Sequence, residues 1–153
     1  MKTIMSLFIA LLVLSLPLQA AEGVISVESK YSVNDTADRF ENFIKAKGLK
    51  RLARIDHAKN AASAQLTLRP TQLILFGNPK IGTPLMNCAQ TVAIDLPQKA
   101  LFWEDESGKV WLSYNDPVYL KQRHEIKGCD PIIEKIRGVL GALARAAAGA
   151  PKQ

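Results

Sequence analysis

His57 and His124 are the only histidines of the chain, and Asp56 adjoins the first. Together with the sulfurs of Met86 and Cys88 they offer imidazole and thiolate ligands of the kind that hold copper or zinc, provided the fold brings them to one place. Their spacing contains no His-x-x-x-His, no Cys-x-x-Cys and no haem-attachment run, so the pattern calls for neither metal nor cofactor. A second constellation lies in residues 77–84, a stretch with two glycines and two prolines. Backbone amides there, with Lys80 and the side chains of Asn78 and Thr83, can hold a small anion, while Asp56, His57 or Asp95 can act as acid or base. The plainer account is a turn shaped by Gly and Pro. No nucleophile elbow, nucleotide loop or paired-acid signature accompanies it. A non-catalytic binding or accessory domain is therefore the leading expectation, with a small enzyme built on the 77–83 loop and Asp56/His57, or a metal-binding or redox accessory protein, as alternatives.

The beginning of the chain bears on where such chemistry takes place. Lys2 is followed by an almost unbroken apolar run over 4–16, and Pro17-Leu18-Gln19-Ala20-Ala21 ends it in small residues. This is the pattern of a cleavable signal peptide over 1–21, and its apolar run is shorter than the ~20 residues that span a bilayer. A periplasmic or secreted protein, free of the membrane after cleavage, is the expectation. In an oxidising compartment the only two cysteines, Cys88 and Cys129, should form a disulfide, since neither lies in a redox motif. The remaining chain of about 130 residues has the size of one domain. The formal charge of +6 becomes +5 without Lys2, which favours a small anionic ligand or another exported protein as partner. The densest basic cluster, Lys45, Lys47, Lys50, Arg51 and Arg54, reads as a solvated face near a helix end, and no nucleic-acid motif accompanies it.

Periodicity then places these residues on alternating element types. Residues 24–31 alternate as a strand, and Ser32 with Asp35 opens a helix to about Lys47 whose stripe is Val33, Ala37, Phe40 and Ile44. Gly48 stops it, and 49–56 reads as a second strand. Residues 58–64 look like a loop or short helical turn, and 71–76 like a buried strand. Thr83-Pro84 resembles a cap and first helical residue, so one or two helical turns are expected over 85–90, and 91–96 is a short strand or the end of that turn. Asp116-Pro117 caps a helix to about His124, and Asp130-Pro131 another with Ile132, Ile133, Ile136, Val139, Leu140 and Leu143 buried, its Ala-rich end fraying.

Residues 100–115 form a hairpin. With a four-residue loop over 105–108, Trp103 faces Val110 and Phe102 faces Trp111, giving a core face of Leu101, Trp103, Val110, Leu112 and Tyr114. Phe102 and Trp111 then fall on the opposite, mixed face with Asn115, where they are candidates for a homodimer contact or a ligand groove unless a later helix covers them.

Several ordered runs, Phe76-Gly77-Asn78-Pro79-Lys80-Ile81-Gly82-Thr83-Pro84-Leu85-Met86, Ala93-Ile94-Asp95-Leu96-Pro97, Trp103-Glu104-Asp105 and Val110-Trp111-Leu112-Ser113-Tyr114-Asn115-Asp116-Pro117, resemble the domain-of-unknown-function 302 family, as does Arg54-Ile55-Asp56-His57-Ala58. The resemblance implies an α+β fold over 22–126: a two-layer sandwich of a mainly antiparallel sheet and helices, similar in topology to the TATA-binding-protein repeat, that forms homodimers. It carries no catalytic residue. Cys88, Cys129 and a helical extension over 127–153 look like additions to the family pattern.

Overall fold

The computed structural model describes residues 21–151, so all but the last residue of the expected signal peptide lies outside the described residues. Strand β1 (Val24–Ser29) leads into helix α1 (Val33–Ala46), then β2 (Lys50–Asp56), α2 (His57–Ser63), β3 (Thr71–Gly77), α3 (Pro79–Cys88), a 3₁₀ turn (Gln90–Ile94), β4 (Gln98–Glu104), β5 (Val110–Asn115), α4 (Pro117–Arg123) and α5 (Asp130–Ala148). The strands form one sheet in the order β1-β5-β4-β3-β2, antiparallel throughout. The fold is α+β, as expected.

Helix α1 forms for the reasons its sequence gives. The Ser32 hydroxyl accepts the Asp35 N–H at 3.1 Å and donates to the Asp35 carboxylate at 2.7 Å, satisfying an otherwise orphan helix-end donor. Val33, Ala37, Phe40 and Ile44 are buried on one stripe, and Gly48 ends the segment at φ +69°. That stripe packs on Ile74, Phe76, Ala100, Phe102 and Leu112, the side chains that β3, β4 and β5 direct to one face. Phe102 is fully buried there. Truncating such a phenylalanine to alanine typically costs about 3–5 kcal/mol.

This placement of Phe102 corrects the expected hairpin. Gly108 adopts φ +79° and donates its N–H to the Asp105 carbonyl, while the Asp105 N–H bonds to the Lys109 carbonyl. The loop is therefore three residues closed by a glycine bulge, and Trp103 faces Trp111 while Phe102 faces Leu112. Changing the loop by one residue exchanges the two faces along one strand. Phe102 joins Val110, Leu112 and Tyr114 in the core, and Trp103 and Leu101 move to the other face with Trp111 and Asn115.

The C-terminal segment also differs from expectation. Cys129, not Asp130, occupies the cap position of α5, and Asp130 instead bonds to Lys121. The Ala-rich end is held firmly rather than frayed: Ala144, Ala147 and Ala148 are fully buried, Arg39 donates to the Ala146 and Ala147 carbonyls, and the Lys30 N–H donates to the Ala148 carbonyl. Alanine suits this place because a larger side chain would push α5 away from α1 and β1. Ile133, Ile136, Leu140 and Leu143 share one core with α1 and the sheet.

Cys88 and Cys129 stand at disulfide distance, their Cα atoms 6.4 Å apart. Closing a loop of 41 residues removes chain entropy from the unfolded state, about 4 kcal/mol at most in the chain-entropy account. Replacing both cysteines by serine should lower unfolding stability by about 2–4 kcal/mol in denaturant titration without reductant. Equal stability of the variant and the parent would show that the bond does not form.

Asp105 generates a pH prediction. The Ser107 hydroxyl, then the Trp111 indole, outweigh desolvation and, with the backbone N–H groups of Lys109 and Ser107, favour its charged form and lower its pKa from 3.8 to about 2. A lowered folded-state pKa means that the loop's contribution is fully present above pH 3.8 and is lost as pH falls through about 2. A carbon-detected NMR titration should find the Asp105 carboxyl midpoint near 2, and Trp111→Phe should raise it. A midpoint in the ordinary range for the parent would refute the loop geometry.

Candidate functional site

Sheet pairing sets Lys50 opposite Gly77 and Phe76 opposite Gln98, so the start of β2, the end of β3 and the start of β4 meet at one end of the sheet. Between this end, α3 and α5 lies a cavity of about 440 Å³. Phe76 and Gln98 contribute from the sheet, Ile81 and Met86 from α3, and Ile136 and Val139 from α5. Leu52 reaches the same wall because a bulge between Arg51 and Ala53 takes it out of the β2–β3 ladder, and it is left 55% exposed. Lys50 and Lys135 are the charged members of the lining.

Most of the wall is aliphatic, which makes Gln98 conspicuous. Its place in β4 puts it on the helix-facing side with Ala100 and Phe102, and it is only 9% exposed. Its Nε2 has no hydrogen-bond partner among the described residues. Leaving such a buried amide unpaired typically costs about 1–3 kcal/mol.

The 77–83 segment borders the cavity, but not as the anion-holding loop that its glycines suggested. Gly77 ends β3, Asn78 caps α3 by accepting the Lys80 N–H at 2.9 Å, and the helix begins at Pro79, with Pro84 inside it. The N–H groups of Ile81 and Gly82 are taken by the Asn78 carbonyl. Asn78 and Thr83 line the cavity, whereas Lys80 is exposed and lies outside the lining.

The histidines do not meet. Asp56 accepts the Lys59 N–H at 2.9 Å and caps α2, of which His57 is the first residue. At the far end of α4, His124 Nε2 lies 2.6 Å from Asp95 and Nδ1 lies 3.2 Å from the Thr91 hydroxyl, with Arg123 3.6 Å from the same carboxylate. The series hydroxyl, imidazole, carboxylate is the order used to activate a nucleophile, but none of the three lines the cavity. Its evident effect is to tie the 3₁₀ turn to α4. Thr91 was missed by sequence reasoning, because its distance of 33 residues from His124 carries no signal. With Cys88 paired to Cys129, the sulfur is not a free ligand, and no group of three or more His, Cys, Asp or Glu able to hold a metal exists among the described residues.

On the sheet face away from α1 and α5, Trp103 and Trp111 stack with ring centroids 6.4 Å apart. Trp103 Nε1 donates to Ser113 Oγ at 2.9 Å and Trp111 Nε1 to Asp105 at 2.8 Å. Leu101, Leu73 and Ile55 continue this face across β4, β3 and β2, all half-buried. The expected aromatic pair on the open face thus exists, with Trp103 in the place of Phe102. Asn115 lies at its edge, paired with Val24.

The fold matches that of an uncharacterized conserved DUF302 protein from Bacillus stearothermophilus, with a TM-score of 0.75 at 20% identity over 83% of this chain and 99% of that one. Among curated proteins, the chain is similar to "Fluoride-specific ion channel FluC 1" of Brucella suis biovar 1 (strain 1330) and to the protein of the same name in Brucella abortus biovar 1 (strain 9-941). Each is 44% identical over 128 residues, 83% of this chain. The match takes in 50% and 47% of those proteins, so the chain spans about half the length of the curated relatives it matches. No helix among the described residues is long and apolar enough to cross a membrane. The sequence profile of "Domain of unknown function DUF302" matches residues 25–143, from β1 into α5, and the chain belongs to that family.

Proposed function

We propose that this chain is a non-catalytic binding domain that takes a small, largely apolar molecule into the cavity between the sheet end, α3 and α5. The observation that carries the reading is the cavity itself, about 440 Å³ and walled largely by aliphatic side chains from α3, α5 and the sheet, with Gln98, whose amide nitrogen has no partner among the described residues, in its lining. Sites for small molecules commonly have this size and this mixture of apolar wall and a few polar groups. The enzymatic alternative lacks such support, because Asp56 is engaged as a helix cap and Asp95 is held by His124 away from the cavity. Work outside the cytoplasm is part of the proposal, supported by the signal-like segment 1–21 and by the two cysteines at bonding distance.

We also propose a homodimer through the open sheet face. Trp103, Trp111, Leu101, Leu73 and Ile55 support it: the two indole N–H groups already have partners within the chain, so burying these rings against a second copy leaves no donor unpaired. Aromatic anchors of this kind dominate interface energies.

Two outcomes are expected. Val139→Trp should fill the cavity and weaken binding of the neutral dye N-phenylnaphthylamine about tenfold or more, with the circular dichroism spectrum unchanged. Undiminished dye binding by that variant places the ligand elsewhere. Sedimentation should find the parent chain dimeric at micromolar concentration and Leu101→Lys monomeric with its fold retained; a monomeric parent removes the dimer proposal.

A further inference from the structure

Resting on the binding reading, we infer that the occupant of the cavity is an amphiphilic anion: a single hydrocarbon chain ending in a carboxylate or a similar anionic oxygen group. Three observations converge on it. The Ile81, Met86, Ile136 and Val139 walls suit a flexible alkyl chain, which gains from burial alone and asks for no directed partner. Lys50 and Lys135 line the same cavity, and neither has an ion-pair partner among the described residues, although Arg51 and Arg54 close by are paired with Glu41 and Asp38. The buried Gln98 Nε2 is a donor without an acceptor among the described residues, and a ligand oxygen can supply one.

The strand order brings two of these residues to one end of the sheet. Lys50 begins β2 and Gln98 begins β4, so the two residues stand at the same sheet end, two strands apart, and both line the cavity. Lys135 enters from α5, next to Ile136 of the apolar wall. The head group therefore belongs at the sheet end between β2, β4 and α5, and the chain extends along α3 and the aliphatic residues of α5. A cationic amphiphile meets two like charges there. A neutral alcohol fills the same wall and can accept from Gln98 but leaves both lysines unanswered.

Isothermal titration of the full chain with decanoate, decanol and decyltrimethylammonium tests this order. Decanoate should bind about tenfold more tightly than decanol, and the quaternary ammonium most weakly. In the Lys50→Gln/Lys135→Gln variant the preference of decanoate over decanol should fall to about one while decanol still binds. Raising the salt concentration should narrow the same preference in the parent. If decanol equals decanoate in the parent, or if the lysine variant keeps the preference, the anionic head group is wrong and the binding reading stands. If N-phenylnaphthylamine and all three probes fail to bind, both are overturned.

Discussion

Phe40 meets Phe76 and Phe102 edge-on, with ring centroids 5.0 and 5.4 Å away and interplanar angles of 77° and 67°. One helical side chain thereby fixes α1 on two adjacent strands, in the geometry that aromatic quadrupoles favour. The consequences spread from this contact. Phe76 stands one residue before the end of β3, and Phe102 shares β4 with Gln98, so the cluster sets the sheet end at which the cavity opens. Helix α5 is laid against α1 through Arg39, whose guanidinium bonds to two α5 carbonyls while stacking 4.2 Å over Tyr31. With both long helices committed to the phenylalanine side, the other face keeps Trp103, Trp111 and Leu101 outside the core.

Where a sequence signal was local, it was legible. The α1 stripe, its Ser32 cap and its Gly48 stop depend on residues within a few positions of one another, and all three hold. The hairpin depended on counting its loop, and a glycine at φ +79° cannot be told from one in a longer turn by composition. Both readings leave an aromatic pair outside the core; only the bulge decides which pair. The start of α3 failed for a similar reason. Thr83-Pro84 and Asn78-Pro79 are equally good beginnings, and the structure uses the earlier one, leaving Pro84 inside the helix without an N–H to give. The end of α5 was misjudged because an Ala-rich run has little apolar area of its own. Its burial comes from close approach to partners about 110 residues away, as the Arg39 bonds illustrate.

The candidate site divides along the same line. Asn78 and Thr83 belong to the cavity and were singled out from their own neighbourhood, whereas Cys88 at the end of α3 and Cys129 at the start of α5 were paired because the chain has no other cysteine. Gln98 and Lys135 have no local pattern that marks them. They become a site only when β4 is laid beside β3 and α5 returns to the sheet, so nothing short of the fold reveals them.

The relative weight of wall and head group follows from ordinary magnitudes. Each methylene transferred from water into an apolar cavity gains about 0.8 kcal/mol, whereas an exposed ion pair contributes about 0.2–1 kcal/mol. Affinity at such a site is therefore set by the length of chain that Ile81, Met86, Ile136 and Val139 can cover, and the two lysines act mainly to choose among ligands of equal length. Gln98 differs from them because it is already desolvated: the cost of stripping water from its amide is borne on folding, and a ligand oxygen that reaches it recovers a bond without that penalty. Such a recovery requires the opposite walls to keep their places. Cys88 and Cys129 stand at disulfide distance at the ends of the two helices that form them, and a bond there would fix the spacing of the walls before any ligand arrives, so that less of the burial gain is spent on ordering the site.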